Sequence, residues 1–163
     1  MYKSEKNIND IIFILDNLRE EDKLEAIENN GLDYKKLLIK QFENTQNEII
    51  IGKTKKENKP ILMYGAWPTV NPLIACIWLL STPDIVNNKI CFIKELKKQI
   101  KEYDSKYYIL FNKIYKKNYL AKNWLKYVGF RFPSEEENKT QLDYKFLKIN
   151  TPKDFEYFYR ERK

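Results

Sequence analysis

The stretch LIACIWLL, residues 73–80, decides how the rest of the chain is read. It is far shorter than the ~20 apolar residues a membrane span needs. It also lacks the polar alternation of a half-exposed strand. Bounded by Pro72 on one side and Thr82-Pro83 on the other, it fits a strand covered on both faces, at the centre of a layered α/β domain. Upstream, residues 48–52 (EIIIG) and 61–67 (ILMYGAW) read as a hairpin around a polar loop that ends at Pro60. Residues 2–5 suit an edge strand. Three helices are expected between these segments. The first is capped by Asn7 or Asn9 and carries Ile11, Ile12, Leu15 and Leu18. The second, acidic one (residues 19–30) shows Leu24 and Ile27 and stops at Gly31. The third (residues 34–44) shows Leu37, Leu38 and Phe42.

Downstream of the apolar run, Asn87 or Asn88 can cap a helix with Ile90, Ile93, Leu96, Ile100 and Tyr103 at helical spacing. Residues 107–111 follow as a strand. Residues 119–127 form an amphipathic helix through Leu120, Trp124 and Tyr127, ended by Gly129. Residues 131–133 and 144–149 are expected as a last pair of strands. Residues 152–163 form a tail in which Phe155, Tyr157, Phe158 and Tyr159 alternate with charges, suited to folding back on the sheet or docking on a partner. The division expected is one domain over residues 1–150 and a tail over 151–163.

Composition narrows the chemistry. The 163 residues contain no His, which removes Ser-His-Asp and Cys-His catalysis and most zinc sites, so no metal is expected. Cys76 and Cys91 are too few for a disulfide framework. Cys76 reads as a small buried residue. Cys91 lies in the first turns of a helix, with no base near it in sequence. The start of the chain has no apolar signal core, so a cytoplasmic setting is expected. The net charge of +7 is uneven: residues 1–50 hold 7 basic and 11 acidic groups, residues 89–126 hold 11 and 3. Lys94, Lys97, Lys98, Lys101, Lys116 and Lys117 are therefore candidates for a face toward nucleic acid or another partner, with a plain solvated surface as the alternative.

The run NYLAKNWLKYVGF, residues 118–130, resembles the last conserved segment of the GNAT acetyltransferase superfamily, with Asn118, Ala121, Gly129 and Phe130 on its spacing. More of the chain is similar to a GNAT-like family of tailed phages that includes the internal (core) virion proteins of podoviruses. The segments that carry this are Leu18-Arg19-Glu20-Glu21-Asp22 with Gly31 after it, Trp78-Leu79-Leu80-Ser81-Thr82-Pro83, Asn112, and residues 124–132 (WLKYVGFRF). The resemblance implies a mixed, mostly antiparallel twisted sheet flanked by helices. It also implies a role inside a phage particle or its assembly, alongside other virion proteins.

Acetyl transfer needs a cradle for the CoA diphosphate, a base for the amine and an acid for the thiolate. In the superfamily the cradle reads [Q/R]xxGxG/A. Here residues 81–88 (STPDIVNN) have no Gly, and Pro83 removes one N–H donor. Asp84 adds negative charge at the same place. No carboxylate lies on residues 73–80, and Leu125 stands where the superfamily often has a Tyr. The candidate cofactor contacts are Trp78, Leu80, Asn112 and Asn118. Asn118 also suits a helix cap, and Trp67, Trp78 and Trp124 suit the core. No catalytic residue is assigned. The leading expectation is a virion or virion-assembly protein on a catalytically degenerate GNAT-like fold, needing no cofactor and placed in the virion or host cytoplasm. The alternatives are an acetyl-CoA-dependent N-acetyltransferase and a basic module binding nucleic acid without sequence preference.

Overall fold

A computed structural model describes residues 1–133 and 152–162. The order of elements is β1 (Tyr2–Ser4), α1 (Ile8–Asp16), α2 (Glu20–Asn30), α3 (Tyr34–Asn44), β2 (Ile50–Lys53), β3 (Pro60–Pro68) and β4 (Ile74–Ser81). A 3-10 turn (Pro83–Ile85) leads into α4 (Lys89–Lys106), followed by β5 (Ile109–Tyr115), α5 (Tyr119–Tyr127) and β6 (Phe155–Glu161). The strands form one six-stranded sheet in the order β1-β2-β3-β4-β5-β6. All neighbours are antiparallel except β4 and β5, which run parallel. A parallel pair needs a crossover, and α4 supplies it.

The apolar run at 73–80 is the central strand β4, and the sheet is covered on both sides as that run requires. Ile74, Cys76, Trp78 and Leu80 belong to the clusters on the face of α1–α3, while Ala75, Ile77 and Leu79 join those under α4 and α5. α1 begins where Asn7 Oδ1 accepts from the N–H groups of Asn9 and Asp10. It buries Ile11, Ile14 and Leu15.

The segment taken as a tail folds back on the sheet, one of its two expected outcomes, and there it is a full strand: β6 pairs with β5 from Ile109↔Glu161 to Tyr115↔Phe155 and buries Phe155, Phe158 and Tyr159. Arg131 forms a bridge to Tyr159, whereas the strand expected at 144–149 lies outside the described residues. In α2 the buried residues are Asp22 and Ala26, while Leu24 is exposed. The helix thus turns a polar edge inward.

Candidate functional site in the splay between β4 and β5

The parallel ladder of β4 and β5 runs only from Ile74↔Ile109 to Cys76↔Phe111. Beyond it β4 continues to Ser81 and β5 to Tyr115, and the two strands part. Asn112 sits at the fork. Its Nδ2 donates to the Ile77 carbonyl at 2.7 Å, and its Oδ1 accepts from the Lys113 N–H. Parting strands leave backbone groups without ladder partners, and buried ones must be satisfied elsewhere.

α2 supplies the partners. Asp22 Oδ2 accepts from the Ser81 N–H at 2.8 Å and from Ser81 Oγ at 2.6 Å, at the end of β4. Glu25 Oε1 accepts from the Tyr115 N–H at 3.2 Å, at the end of β5, and from Asn118 Nδ2 at 3.0 Å. Residues three apart share a helix face, so one edge of α2 serves both strands. Arg19 completes the network. Its Nη2 donates to Asp22 Oδ1 at 2.6 Å and to Asn118 Oδ1 at 3.4 Å, its own N–H bonds the Ser81 carbonyl, and its guanidinium lies 6.0 Å over the Trp124 ring. Arg19 and Asp22 are 6% and 2% exposed, which marks this as a buried ion pair.

A cavity of about 320 Å³ opens in the splay. On the α1–α3 side it is lined by Glu25, Leu38, Phe42, Trp67 and Trp78. On the α4–α5 side Leu79, Phe92, Leu96, Gln99 and Trp124 line it. Phe92 and Trp124 touch across the α4–α5 gap, with ring centroids 4.7 Å apart. Gly65 lets the Trp78 indole lie against β3, because a Cβ there would stand 2.9 Å from that ring. Glu25 is half-buried. Loss of water, then the negative charge of Asp22, pushes its carboxyl up to about 7, against the opposing bonds from Asn118 and Tyr115 and the charge of Arg19.

All four candidate cofactor contacts, Trp78, Leu80, Asn112 and Asn118, line this cavity. Asn118 also caps α5, accepting from the Ala121 N–H, so one side chain both lines the cavity and caps the helix. Leu125 lines the cavity, while Tyr119 and Tyr127 are exposed. Burial pushes the Cys76 thiol up to about 11, which leaves it inert at neutral pH. Lys94, Lys97, Lys98 and Lys101 form one exposed stripe on α4, set by spacings of three and four residues. Lys97 Nζ bonds the Tyr127 hydroxyl, and Lys116, in the turn after β5, bonds the Lys153 carbonyl.

The loop after β4 differs from the expectation at one point. The charge of Asp84 is not left facing the loop, because Lys59 pairs with it at 2.6 Å. Most loop amides are used internally: Thr82 to the Ile61 carbonyl, Ile85 to Thr82, Val86 to Pro83 and Asn88 to Ile85. α4 then starts without a side-chain cap. Sequence reasoning missed Arg19, Asp22 and Glu25 as site residues. The available signal was their three-residue spacing, which puts them on one helical edge.

No protein-family model and no curated relative matches the chain. Solved structures do. Spermidine N-acetyltransferase from Vibrio cholerae, in complex with CoA and spermine, superposes with a TM-score of 0.66 at 10% identity, covering 99% of this chain and 95% of that one. Ribosomal-protein-alanine N-acetyltransferase from Brucella melitensis gives a TM-score of 0.62 at 10% identity, with 99% of each chain covered. A GNAT-family acetyltransferase from Bacillus anthracis gives 0.61 at 12% identity, over 98% of this chain and 93% of that one. The fold is that of the GNAT acetyltransferases: a mixed, mostly antiparallel six-stranded sheet flanked by helices, with a splayed parallel pair at its centre.

Proposed function

We propose that this protein is an acyl-CoA-dependent N-acyltransferase working in the β4–β5 splay. One observation carries the reading: the Glu25 carboxyl lines the splay cavity, is held by the N–H of Tyr115 and by Asn118, and is pushed up to about 7. A carboxyl of that pKa can accept a proton from an amine near neutral pH. It fills the role for which β4 has no residue.

The residues present fit the acyl donor. The apolar cavity suits a pantetheine arm. Strand alternation turns the N–H and C=O of Leu79 toward the gap, as it turns those of Ile77 and Ser81, which bond Asn112, Asp22 and Arg19 across it. The diphosphate would meet the first-turn N–H groups of α4, an 18-residue helix with no side-chain cap at its start. When bound, acyl-CoA supplies a thioester-activated acyl group that an amine can take. Glu25 would hold the amine proton, Asn118 and Tyr115 would fix the carboxylate, and Phe92, Leu96 and Trp124 would exclude water from the α4 side.

The test is calorimetry with acetyl-CoA and with CoA, together with thiol release in the presence of amines. Micromolar binding of acetyl-CoA and loss of turnover in Glu25→Gln support the reading, and absence of acetyl-CoA binding overturns it.

A second reading is favoured by the loop. Its amides bond mainly within the loop or to β3, Pro83 has none to offer, and Leu125 replaces a Tyr. Arg19, Asp22 and Ser81, from two segments that resemble the phage family, meet with Asn118 in one buried network. On this reading the fold acts by contact with other virion proteins in a phage particle or its assembly, without CoA. Mass spectrometry of purified particles and a knockout scored for assembly and infectivity test it. Absence from particles and precursors, with normal infectivity, removes it.

A further inference from the structure

The α1–α3 side of the cavity has features that the acyl donor does not use. Phe42 and Trp78 stack with centroids 5.1 Å apart at 19°, and Trp67 closes the group at 5.4 Å from Trp78 and 6.2 Å from Phe42. These three rings and Glu25 line one cavity. The indole N–H groups of Trp67 and Trp78 are both buried, and neither has a hydrogen-bond partner among the described residues. Both nitrogens belong to side chains that line the cavity but have almost no accessible surface of their own. A buried donor left unpaired costs about 1–3 kcal/mol, so a small turn of either indole toward a ligand acceptor brings a gain.

We infer that this side of the splay binds a primary amine on an aromatic body that carries a hydrogen-bond acceptor. Each part answers a group on the wall. The ammonium meets the Glu25 carboxylate. The ring packs against Phe42, Trp67 and Trp78, whose faces attract both rings and cations. An oxygen on the ring takes an indole N–H. A polyamine would leave the aromatic wall without a matching body, and an aromatic acid would set its carboxylate against Glu25. The inference rests on the acyltransferase reading for what the amine is for, but not for whether it binds.

Tyramine is the probe, with three partners that each remove one feature: phenethylamine lacks the ring oxygen, tyrosol has a hydroxyl in place of the amine, and ethanolamine has no ring. Calorimetry on the whole chain should find tyramine bound at least about fivefold tighter than each, the ratio for one hydrogen bond of about 1 kcal/mol. Tyramine no tighter than any one of the three overturns the inference. Binding should also release a proton near pH 7, because a cation favours the carboxylate form of Glu25. Measurements in two buffers of different protonation enthalpy read this release. The other charged groups at this carboxyl are Arg19, just before α2, and Asp22 on α2, with Lys113 of β5 and Glu95 of α4 also on the cavity wall.

Glu25→Gln keeps an oxygen for Tyr115 and Asn118. It should bring tyramine down to the affinity of tyrosol and abolish proton release, while tyrosol affinity stays unchanged and reports an intact cavity. Full tyramine affinity and proton release in that variant overturn the assignment. If tyramine binds as stated and acetyl-CoA does not bind, the inference stands and the acyltransferase reading falls. If acetyl-CoA binds and tyramine shows no preference, the reverse holds.

Discussion

Replacing Asp22 by Ala should be among the most destabilising single changes in this chain. The Asp22 carboxylate accepts two bonds from Ser81 and two from Arg19, and both charged side chains are almost wholly buried. The variant leaves an Arg that cannot give up its charge, and it strips the Ser81 N–H of its partner at the point where β4 leaves β5. Breaking a buried ion pair from one side costs about 3–5 kcal/mol. For a domain of this size that corresponds to a fall of about 6–20 °C in melting temperature. Urea unfolding followed by circular dichroism measures it, with a smaller midpoint and an unchanged slope expected. Replacing the pair together, Arg19→Met with Asp22→Leu, should recover much of the loss, since the desolvation cost of both charges disappears. A cost below about 1 kcal/mol for Asp22→Ala would refute the reasoning, because it would mean that water reaches Arg19 and that the splay is not closed by this pair.

Three further outcomes follow from particular residues. Glu25 has its carboxyl raised in the fold from 4.5 to about 7. Its contribution to stability is therefore complete below about pH 4.5 and is lost as pH rises through about 7, a change of about 3 kcal/mol in order of magnitude. Glu25→Gln should flatten stability between pH 5 and 8, and unfolding midpoints across that range check it. Gly129 has φ +90, and a Cβ there would press on the Arg160 guanidinium, which bonds the Val128 carbonyl and Asp104. Gly129→Ala should cost at least about 1–2 kcal/mol, measurable by urea unfolding. Reversing Lys97, Lys98 and Lys101 to Glu should lower the salt needed to elute the chain from a heparin or DNA column, with melting temperature changed little. Unchanged elution would move any polyanion binding away from α4.

The central strand could be read in advance because being covered on both faces leaves a mark on one short segment. Residues 73–80 carry apolar side chains at odd and even positions alike, and the structure uses both sets. β6 left no comparable mark. Its place depends on pairing with β5, at least 40 residues away in sequence, and its Tyr, Glu and Arg residues look solvated until the neighbour is known. α2 misled for a related reason. Its apolar spacing pointed to Leu24 and Ile27 as the inward side; Ile27 does pack against the core, but Leu24 is exposed, because the splay has open N–H groups and the edge that packs there is charged. Asn112 could be named from the family resemblance, and Asn118 because a polar residue stands there just before a helix. That Asn118 would also bridge Arg19 and Glu25 depended on a contact over more than 90 residues, which no local spacing encodes.

The two carboxylates of α2 do comparable structural work, and their surroundings separate them. Asp22 faces a fixed cation and a Ser, and its bonds close the β4 end of the splay. Glu25 faces a backbone N–H and an amide, with the cation one residue removed, and it lines the cavity. An ion pair with every site filled and almost no exposure is closed to a ligand, which is what a strut requires. A carboxyl supported by neutral donors, short of water and open to a cavity holds its proton near neutral pH and can exchange it with whatever enters. The parted strands create both positions at once, since each strand end exposes an N–H that needs an acceptor. The fold therefore requires an acceptor at each place, while the choice of partner, Arg19 for one and Asn118 for the other, decides which acceptor is left able to react.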